Sequence, residues 1–273
     1  PPRALALRAV ALELERMANH TGDLGALAGD VGYLPTASFC GRLRGEYLNL
    51  TALLCGSRLG RGLIRPGGAG FDADPDRLAE LAARLDVALR DTAGAVDLLW
   101  ETPSVMNRFD GVGTVGRADA LALGLVGPAA RACGLTLDAR TDFPTGWYGT
   151  ARPSPATWEG GDVRARARVR WTEIERSGRF VLDLLRGFPA GAFRSAVGTA
   201  APRALAVALV EGWRGEACHV ALTGPDDRFA SYNVVDPSCH NWFGLAYAMR
   251  GQQISDFPLC NKSFNLSYCG HDL

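Results

Sequence analysis

The sequence predicts a mainly α-helical fold in which a bundle of long helices carries a small antiparallel β-subdomain. Two observations support this fold class. Apolar residues recur at helical spacing over four long stretches, whereas a later segment changes to the alternation of short strands. The helical stretches are residues 2–28, 34–59, 75–100 and 161–186, and the strand-like segment is 204–234.

The long helices have clear beginnings and ends in the sequence. Pro2 suits the first turn of the first helix, and Gly29 is expected to end that helix. The second helix must stop before the R-P-G-G turn at residues 65–68, because this turn cannot continue a helix. Asp74 provides a cap for the third helix, with Pro75 at its first helical position.

The later part of the chain is expected to complete a single domain. Three short strands are predicted in 204–234, with Pro225-Asp226-Asp227 as a turn, and a helix over 242–249 leads into an irregular tail. Because the chain begins at Pro1 without an initiator Met, we interpret it as N-terminally truncated. The predicted domain covers residues 1–273, with the helical bundle in 1–125 and 160–190, the β-subdomain in about 200–235 and the C-terminal helix and tail in 240–273.

Composition excludes several classes of function. Lys plus Arg and Asp plus Glu both number 29, so no net charge favours nucleic acid or an anionic membrane surface. No segment approaches the roughly 20 apolar residues that cross a bilayer. The basic stretch at residues 164–170 is interpreted as a solvated helix face or a subunit contact.

The seven cysteines form no C-x-x-C pair. Their odd number and scattered spacing argue against a disulfide framework and against a self-contained metal site. We therefore expect a reducing, cytoplasmic compartment, with most cysteines buried as small apolar residues.

Several motifs in one order carry a family resemblance. They are E-L-E-R-M-A-N-H at 13–20, D-V-G at 30–32, I-R-P-G-G at 64–68, G-D-V at 161–163 with V-R at 169–170 and E-I at 173–174, E-G-W-R-G-E-A-C-H at 211–219, D-P-S-C-H-N-W at 236–242 and R-G-Q-Q-I-S-D at 250–256. Together they resemble the large-subunit family shared by the 49 kDa-type subunit of respiratory complex I and the group 4 membrane-bound [NiFe] hydrogenases. The resemblance covers essentially the whole chain and implies the fold of that subunit.

The resemblance also implies which branch of the family the chain joins. Hydrogenases of this family hold nickel and iron with two C-x-x-C pairs, because soft thiolates suit these metals. The second pair falls where this chain has Ser267 and Gly270, with Cys269 one place off register. The chain therefore resembles a hydrogenase-like branch that has lost the C-terminal nickel-binding pair, so nickel is not expected and no metal ligands are predicted.

The same resemblance implies candidate site residues. Asp30 falls where the complex I branch has an aspartate linked to quinone protonation, although the partner histidine of that branch is Gly60 here. Arg214 falls beside the metal-ligand cavity of hydrogenases, where a guanidinium holds polar or anionic ligands. Asp30 and Arg214 are thus predicted to be catalytic. The predicted substrate-binding residues are His20, Arg65, Glu216 and His219.

Each candidate also has a purely structural interpretation. His20 on an amphipathic helix fits a structural histidine, and Asp30 fits a cap of the next segment. Arg65 fits a packing turn, and Arg214 fits an ion pair with Glu216 at a strand end. The string Gly111-x-Gly113-x-x-Gly116 is rejected as a dinucleotide site because no βαβ unit surrounds it.

The function that this resemblance implies is that of a large subunit in a complex I-like or formate hydrogenlyase-like membrane oxidoreductase. Its expected role is to form the terminal electron-transfer cavity, on the quinone or substrate side, next to an iron–sulfur subunit. The expected partners are that subunit with its iron–sulfur cluster, a 30 kDa-type subunit and membrane subunits, with the chain peripheral on the cytoplasmic side of the inner membrane. Two alternatives stay open: a catalytically silent coupling subunit, and a [NiFe] hydrogenase with atypical ligands.

Overall fold

The computed structural model describes residues 1–226 and 228–272, and it confirms a mainly α-helical fold with a small antiparallel sheet. The helices are α1 (Pro2–Asp30), α2 (Leu34–Cys55), α3 (Pro75–Trp100), α4 (Pro103–Phe109), α5 (Arg117–Ala122), α6 (Gly127–Arg131), α7 (Ala139–Asp142), α8 (Val163–Arg186), α9 (Pro237–Ala248) and α10 (Phe257–Phe264). The strands are β1 (Ile64–Arg65), β2 (Gly68–Ala69), β3 (Leu205–Gly212), β4 (Gly215–Thr223) and β5 (Phe229–Val235). Short 3-10 turns cover Gly146–Gly149, Ile254–Asp256 and Cys269–Asp272.

Local capping decides where several helices begin and end, and these boundaries differ from the predicted ones. Helix α1 continues through Gly29 and ends before Gly32, whose φ of 75° leaves the helical region. Helix α2 ends at Cys55, four residues earlier than predicted, because Gly56 adopts a left-handed cap with φ 74°. Asp236 caps α9, which therefore begins five residues before the predicted start at residue 242.

The long helices form one bundle. Helix α1 packs against α2 and α8, and α3 packs against the same two helices. Glycines allow these close contacts: a Cβ on Gly25 of α1 would lie 2.7 Å from Cys40 Cβ of α2. A Cβ on Gly178 of α8 would lie 2.5 Å from Leu89 Cδ1 of α3. The main apolar core fills the spaces between these four helices.

The three later strands form an antiparallel sheet in the order β3-β4-β5. Leu209 pairs with Cys218, and Val220 pairs with Asn233. Helix α7 contacts β3, and α9 contacts β4, so the β3–β4 end of the sheet joins the helical body. The predicted turn between β4 and β5 is in place at residues 225 and 226, whereas Asp227 lies outside the described residues.

The interpretation of the basic stretch at residues 164–170 as a solvated face is wrong. Arg166 and Arg170 on α8 are 1% and 2% exposed, so this part of the helix faces the interior instead of solvent. Arg164 and Arg168 are half-buried, and the Arg168 guanidinium lies 3.9 Å from the centre of the Trp100 ring. The charge pattern alone does not reveal that α8 buries Arg166 and Arg170.

The described residues contain neither a membrane-spanning helix nor a disulfide. Within the described residues, no helix combines the length and apolarity that crossing a bilayer requires. The seven cysteines are all free, and four of them are buried: Cys40, Cys55, Cys133 and Cys260.

Candidate functional site

Helices α1 and α8 bring charged side chains together inside the protein. Glu13, Arg16 and His20 recur every three or four residues, so they share one face of α1. Helix α8 presents Arg170 and Glu173 to this face. We call the buried set the ion-paired cluster: Glu13, Arg16, His20, Asp23, Arg131, Asp138, Arg140, Arg170, Glu173 and Glu211.

Glu173 lies at the centre of the ion-paired cluster. Its Oε1 accepts a hydrogen bond from Arg131 Nε at 2.8 Å, and Arg131 Nη2 lies 2.7 Å away. Its Oε2 lies 2.8 Å from His20 Nε2 and 3.4 Å from Arg16 Nη1. Burial raises the pKa of Glu173, but the neighbouring Arg131 and His20 together hold it well below its usual range.

Glu13 holds a second set of contacts. Tyr148 donates its hydroxyl to Oε1 at 2.6 Å, Ser177 donates to Oε2, and Arg140 Nη1 lies 3.1 Å from Oε2. Burial acts to raise the pKa of Glu13, but Arg140 and Arg16 with the two hydroxyl bonds lower it to about 2. Glu13 is therefore ionised throughout the neutral range.

Glu211 joins strand β3 to the ion-paired cluster. Its Oε1 accepts from Arg131 Nη1 at 2.8 Å, and its Oε2 accepts from the backbone N–H of Ala139 at 3.0 Å. Arg16 donates to the backbone carbonyls of Glu211 and Gly212. Burial raises the pKa of Glu211, and Arg131 opposes that rise.

Asp23 connects the ion-paired cluster to the C-terminal tail. Its Oδ2 accepts from Arg170 Nε at 2.8 Å and lies 3.9 Å from His20 Nδ1. Its Oδ1 accepts from the Asn265 side-chain amide at 2.5 Å. Arg214 Nε in turn donates to the Asn265 carbonyl. A continuous series of contacts therefore leads from Asn265 in the tail through Asp23 to Arg170 in the bundle.

The tail segment itself does not supply a pair of thiolates. Ser267 Oγ accepts from the backbone N–H of Gly270 at 3.0 Å and lies 3.4 Å from Cys269 Sγ. A Cβ on Gly270 would lie 2.5 Å from Asp236 Cγ, so a cysteine cannot occupy this position without displacing Asp236. In the described part of the chain, no group of three or more His, Cys, Asp or Glu residues has the geometry of a metal site.

The two predicted catalytic residues both lie near the tail. Arg214 sits at the β3–β4 turn, half-buried, with its guanidinium 3.8 Å from the centre of the Trp213 ring. In place of the predicted ion pair with Glu216, Arg214 binds the Asn265 carbonyl. Asp30 is exposed at the end of α1, where surrounding protein raises the pKa of its carboxyl and Lys262 of α10 acts against the rise.

The four predicted substrate-binding residues do not lie together. His20 is fully buried in the ion-paired cluster. Arg65 is exposed, and its carbonyl accepts from Arg8. Glu216 lies opposite Glu211 in the β3–β4 register, half-buried. His219 lies further along β4, where its Nδ1 is 2.8 Å from the Tyr232 hydroxyl of β5.

Sequence reasoning missed four members of the ion-paired cluster. Asp23, Arg131, Asp138 and Arg140 belong to none of the motifs that carry the family resemblance. The available signal was the spacing of Glu13, Arg16 and His20, which places charges on a face that also packs into the core.

Two surface clefts lie away from these residues. One includes Trp147, Arg152 and Arg176 in its lining, and the other includes Arg3, Leu78 and Phe188. None of the predicted site residues lines either cleft.

Comparisons with known proteins give these features a family context. The family described as respiratory-chain NADH dehydrogenase, 49 kDa subunit, matches residues 30–204. The carbon monoxide-induced hydrogenase of Rhodospirillum rubrum is 32% identical over 268 residues, which are 97% of this chain and 74% of the relative.

Two other relatives come from the two sides of the resemblance. Formate hydrogenlyase subunit 5 of Escherichia coli (strain K12) is 29% identical over 98% of this chain and 47% of its own length. An NADH-quinone oxidoreductase subunit of Solibacter usitatus (strain Ellin6076) is 32% identical over 71% of this chain and 48% of its own length. The chain therefore spans about half the length of these two relatives.

Proposed function

The chain belongs to the family of the 49 kDa subunit of respiratory-chain NADH dehydrogenase, and we propose that it is the large subunit of a complex I-like or formate hydrogenlyase-like membrane oxidoreductase. In this role it forms the terminal electron-transfer cavity, facing a quinone or another substrate. Its partners are an iron–sulfur subunit, which holds the cluster, a 30 kDa-type subunit and membrane subunits. The chain is peripheral, on the cytoplasmic side of the inner membrane.

The observation that carries this proposal is the position of Arg214 beside the tail. Its guanidinium is half-buried, and its Nε bond to the Asn265 carbonyl holds it next to the segment where the resemblance puts the hydrogenase ligand cavity. Burial lowers the pKa of Arg214, with Asp23 and Asp236 opposing this effect. A fixed positive charge in partly shielded surroundings stabilises negative charge that develops on a bound acceptor.

Asp30 supplies the proton in this proposal. It lies two helical turns beyond Asp23 on α1 and faces Lys262, three residues before Asn265. Because the surrounding protein raises the pKa of Asp30, the carboxyl group is more easily protonated than in water. The substrate-binding roles of His20, Arg65, Glu216 and His219 remain predictions. Of these residues, His20 is fully buried inside the bundle.

The proposal assigns no metal to this chain. Ser267 provides an oxygen where the hydrogenase branch has a thiolate. At Gly270, the close approach of Asp236 leaves no space for the side chain of a second cysteine. A quinone remains the candidate substrate. Gly60, which replaces the histidine of the complex I branch, has a φ of 67° that suits glycine. The proton-donor role therefore falls to Asp30 alone.

The test is electron-transfer turnover of the assembled complex carrying Asp30→Asn or Arg214→Ala. We expect Arg214→Ala to lower turnover about 100-fold, the scale for loss of one charge-stabilising donor. Asp30→Asn is expected to lower turnover by about 10² or more and to change its pH profile. Asp76→Asn, an exposed change on α3, is the matched control. Unchanged turnover in both variants of an intact complex would refute the proposed cavity.

The second candidate is a coupling subunit without chemistry of its own. It is favoured by the ion-paired cluster, whose carboxylates are engaged by protein groups and offer no open position to a ligand. In that case, neither Asp30→Asn nor Arg214→Ala changes turnover, whereas variants that disrupt the cluster abolish assembly.

A further inference from the structure

One of the two surface clefts runs between α8 and the 3-10 turn Gly146–Gly149 with the residues that follow this turn. Its volume is about 520 Å³, and its lining includes Trp147, Arg152, Arg176, Arg179, Phe180 and Asp183. The Phe180 ring stacks on Tyr148 with the ring centroids 5.6 Å apart, and the Tyr148 hydroxyl donates to Glu13 of the ion-paired cluster. The two walls of the cleft are therefore joined to each other and to the buried interior.

This cleft carries an excess of positive charge. Arg152, Arg176 and Arg179 line it, whereas Asp183 is the one carboxylate in its described lining. The Asp183 carboxylate is already engaged, because its Oδ1 lies 2.6 Å from Arg186 Nη1 outside the cleft. Among the described residues, no carboxylate forms an ion pair with Arg152 or Arg176. The guanidinium charges of the lining are therefore largely uncompensated.

The second cleft has no such excess. Arg3 in its lining pairs with Asp72 at 2.7 Å. Asp86 in its lining pairs with Arg90 at 3.1 Å. The unpaired guanidiniums thus distinguish the first cleft from the second.

Main-chain carbonyls hold two of these guanidiniums in place. Arg152 Nε donates to the Tyr148 carbonyl at 3.2 Å. Arg176 Nη1 donates to the carbonyls of Ser154, at 3.0 Å, and Pro155. The carbonyls are neutral, and the other N–H groups of both guanidiniums form no hydrogen bond with a described residue. A planar guanidinium held in this way is oriented to bind a carboxylate through two parallel hydrogen bonds.

We propose that this cleft docks an acidic, extended segment of a partner subunit. Carboxylates of that segment pair with Arg152 and Arg176, and one of its apolar side chains packs against Trp147 and Phe180. Arg176 and Leu184 lie eight residues apart on α8, about 12 Å along its axis, which an extended segment of about four residues spans. The docking site rests on the proposed function in one point, that the chain works within an assembly of several subunits.

A polypeptide segment fits the distribution of charge better than a small anion does. A compact phosphate is typically bound where backbone N–H groups converge at a helix N-terminus. This cleft instead follows the C-terminal half of α8 to Gly187, the cap residue, where the helix dipole is negative and where Asp183 also lies. The positive groups lie at the other end, where Arg176 is joined by Arg179, whose exposed 3.9 Å pair with Glu175 contributes little. The acidic residues of the segment are therefore expected at the Arg176 end.

The docking site is tested by photo-crosslinking in the assembled complex. A benzophenone-bearing amino acid replaces Ala151, which is exposed and lines the cleft, and mass spectrometry identifies the crosslinked peptides. We expect a crosslink to another subunit, at a segment with net negative charge. Arg152→Gln combined with Arg176→Gln should lower the crosslink yield about ten-fold, because both carboxylate pairs are lost. Arg90→Gln, an exposed change on α3, is the matched control and should leave the yield unchanged.

Three results would overturn the docking site. The first is the absence of a crosslink to another subunit in a complex that retains its partners. The second is a crosslink to a neutral or basic segment or to a second copy of this chain, and the third is a yield that the double variant leaves unchanged. The first two results are read with both arginines in place, so the test stands even where the double variant does not fold.

The crosslink and the electron-transfer turnover separate this docking site from the proposed cavity. A missing crosslink with normal turnover would reject the docking site alone. An acidic crosslink together with turnover that Asp30→Asn and Arg214→Ala leave unchanged would support the docking site and reject the cavity. A chain that purifies without any partner subunit would reject both.

Discussion

In the ion-paired cluster, charged side chains are buried, whereas in the sheet β3–β5, large apolar side chains lie on the surface. Glu13 and His20 are fully buried, but Leu205 and Phe229 are each 67% exposed. The charges are tolerated inside because each carboxylate meets several donors. The exposed apolar residues need no such compensation in the free chain. Breaking the ion-paired cluster is therefore expected to destabilise the fold strongly, whereas truncating an exposed side chain of the sheet is not.

The largest expected effect is in the ion-paired cluster. Glu173→Gln removes the charge that Arg131, Arg16 and His20 share, so it should lower the free energy of unfolding by about 3–5 kcal/mol. Urea unfolding measures this change. Glu175→Gln on the same helix is the control, because its ion pair with Arg179 is exposed and 3.9 Å long. Equal changes in the free energy of unfolding would mean that the ion-paired cluster matters no more to stability than an exposed ion pair does.

Acid pH should weaken the same region. The pKa of Glu13 is lowered from 4.5 to about 2, so its stabilisation is fully present above pH 4.5 and is lost as pH falls toward 2. The contribution is on the order of 3 kcal/mol. Urea unfolding at a series of pH values should therefore show a steep loss of stability in this window. Glu13→Gln should flatten that slope, and an unchanged slope would contradict the contacts of Glu13.

The tail should respond to added volume. Gly270→Ala places a Cβ 2.5 Å from Asp236 Cγ, and overpacking of this kind costs about 1–3 kcal/mol. Thermal unfolding measures the cost. Gly94→Ala is the matched control: it lies in α3 with nothing within 4 Å, and alanine should stabilise the helix by about 0.5–1 kcal/mol. If Gly270→Ala did not change the unfolding temperature, a side chain would fit at this position, and a cysteine thiolate could occupy it.

The smallest effect is expected on the sheet. Leu205→Ala should change the free energy of unfolding by less than about 1 kcal/mol, because the side chain is mostly exposed. Leu50→Ala, at a fully buried position on α2, should cost about 2–5 kcal/mol in the same assay. A cost at Leu205 similar to that at Leu50 would show that the sheet stabilises the chain more than its exposure indicates.

The fold was predictable where local signals were strong. Asp74 and Pro75 fixed the start of α3, and the alternating pattern fixed the three strands. The predicted ends of α1 and α2 are wrong because Gly29 is tolerated in a helix and Gly56 acts as a left-handed cap. Local capping geometry decides these boundaries, and periodicity could not resolve them.

The ion-paired cluster was not predictable, because its partners are distant in sequence. Arg170 on α8 is buried against Asp23, 147 residues earlier, and Arg131 meets Glu211 from 80 residues away. Local patterns favour a solvent-facing position for such arginines, since unpaired charges are rarely buried. In contrast, Asp30 and Arg214 were predicted through the family motifs alone.

The most direct measurement is the nickel content of the purified, assembled complex, taken with its electron-transfer turnover on the same sample. We predict turnover with far less than one nickel per complex, because Ser267 and Gly270 cannot supply a thiolate pair. One nickel per complex, lost together with activity on removal of the metal, would contradict the account.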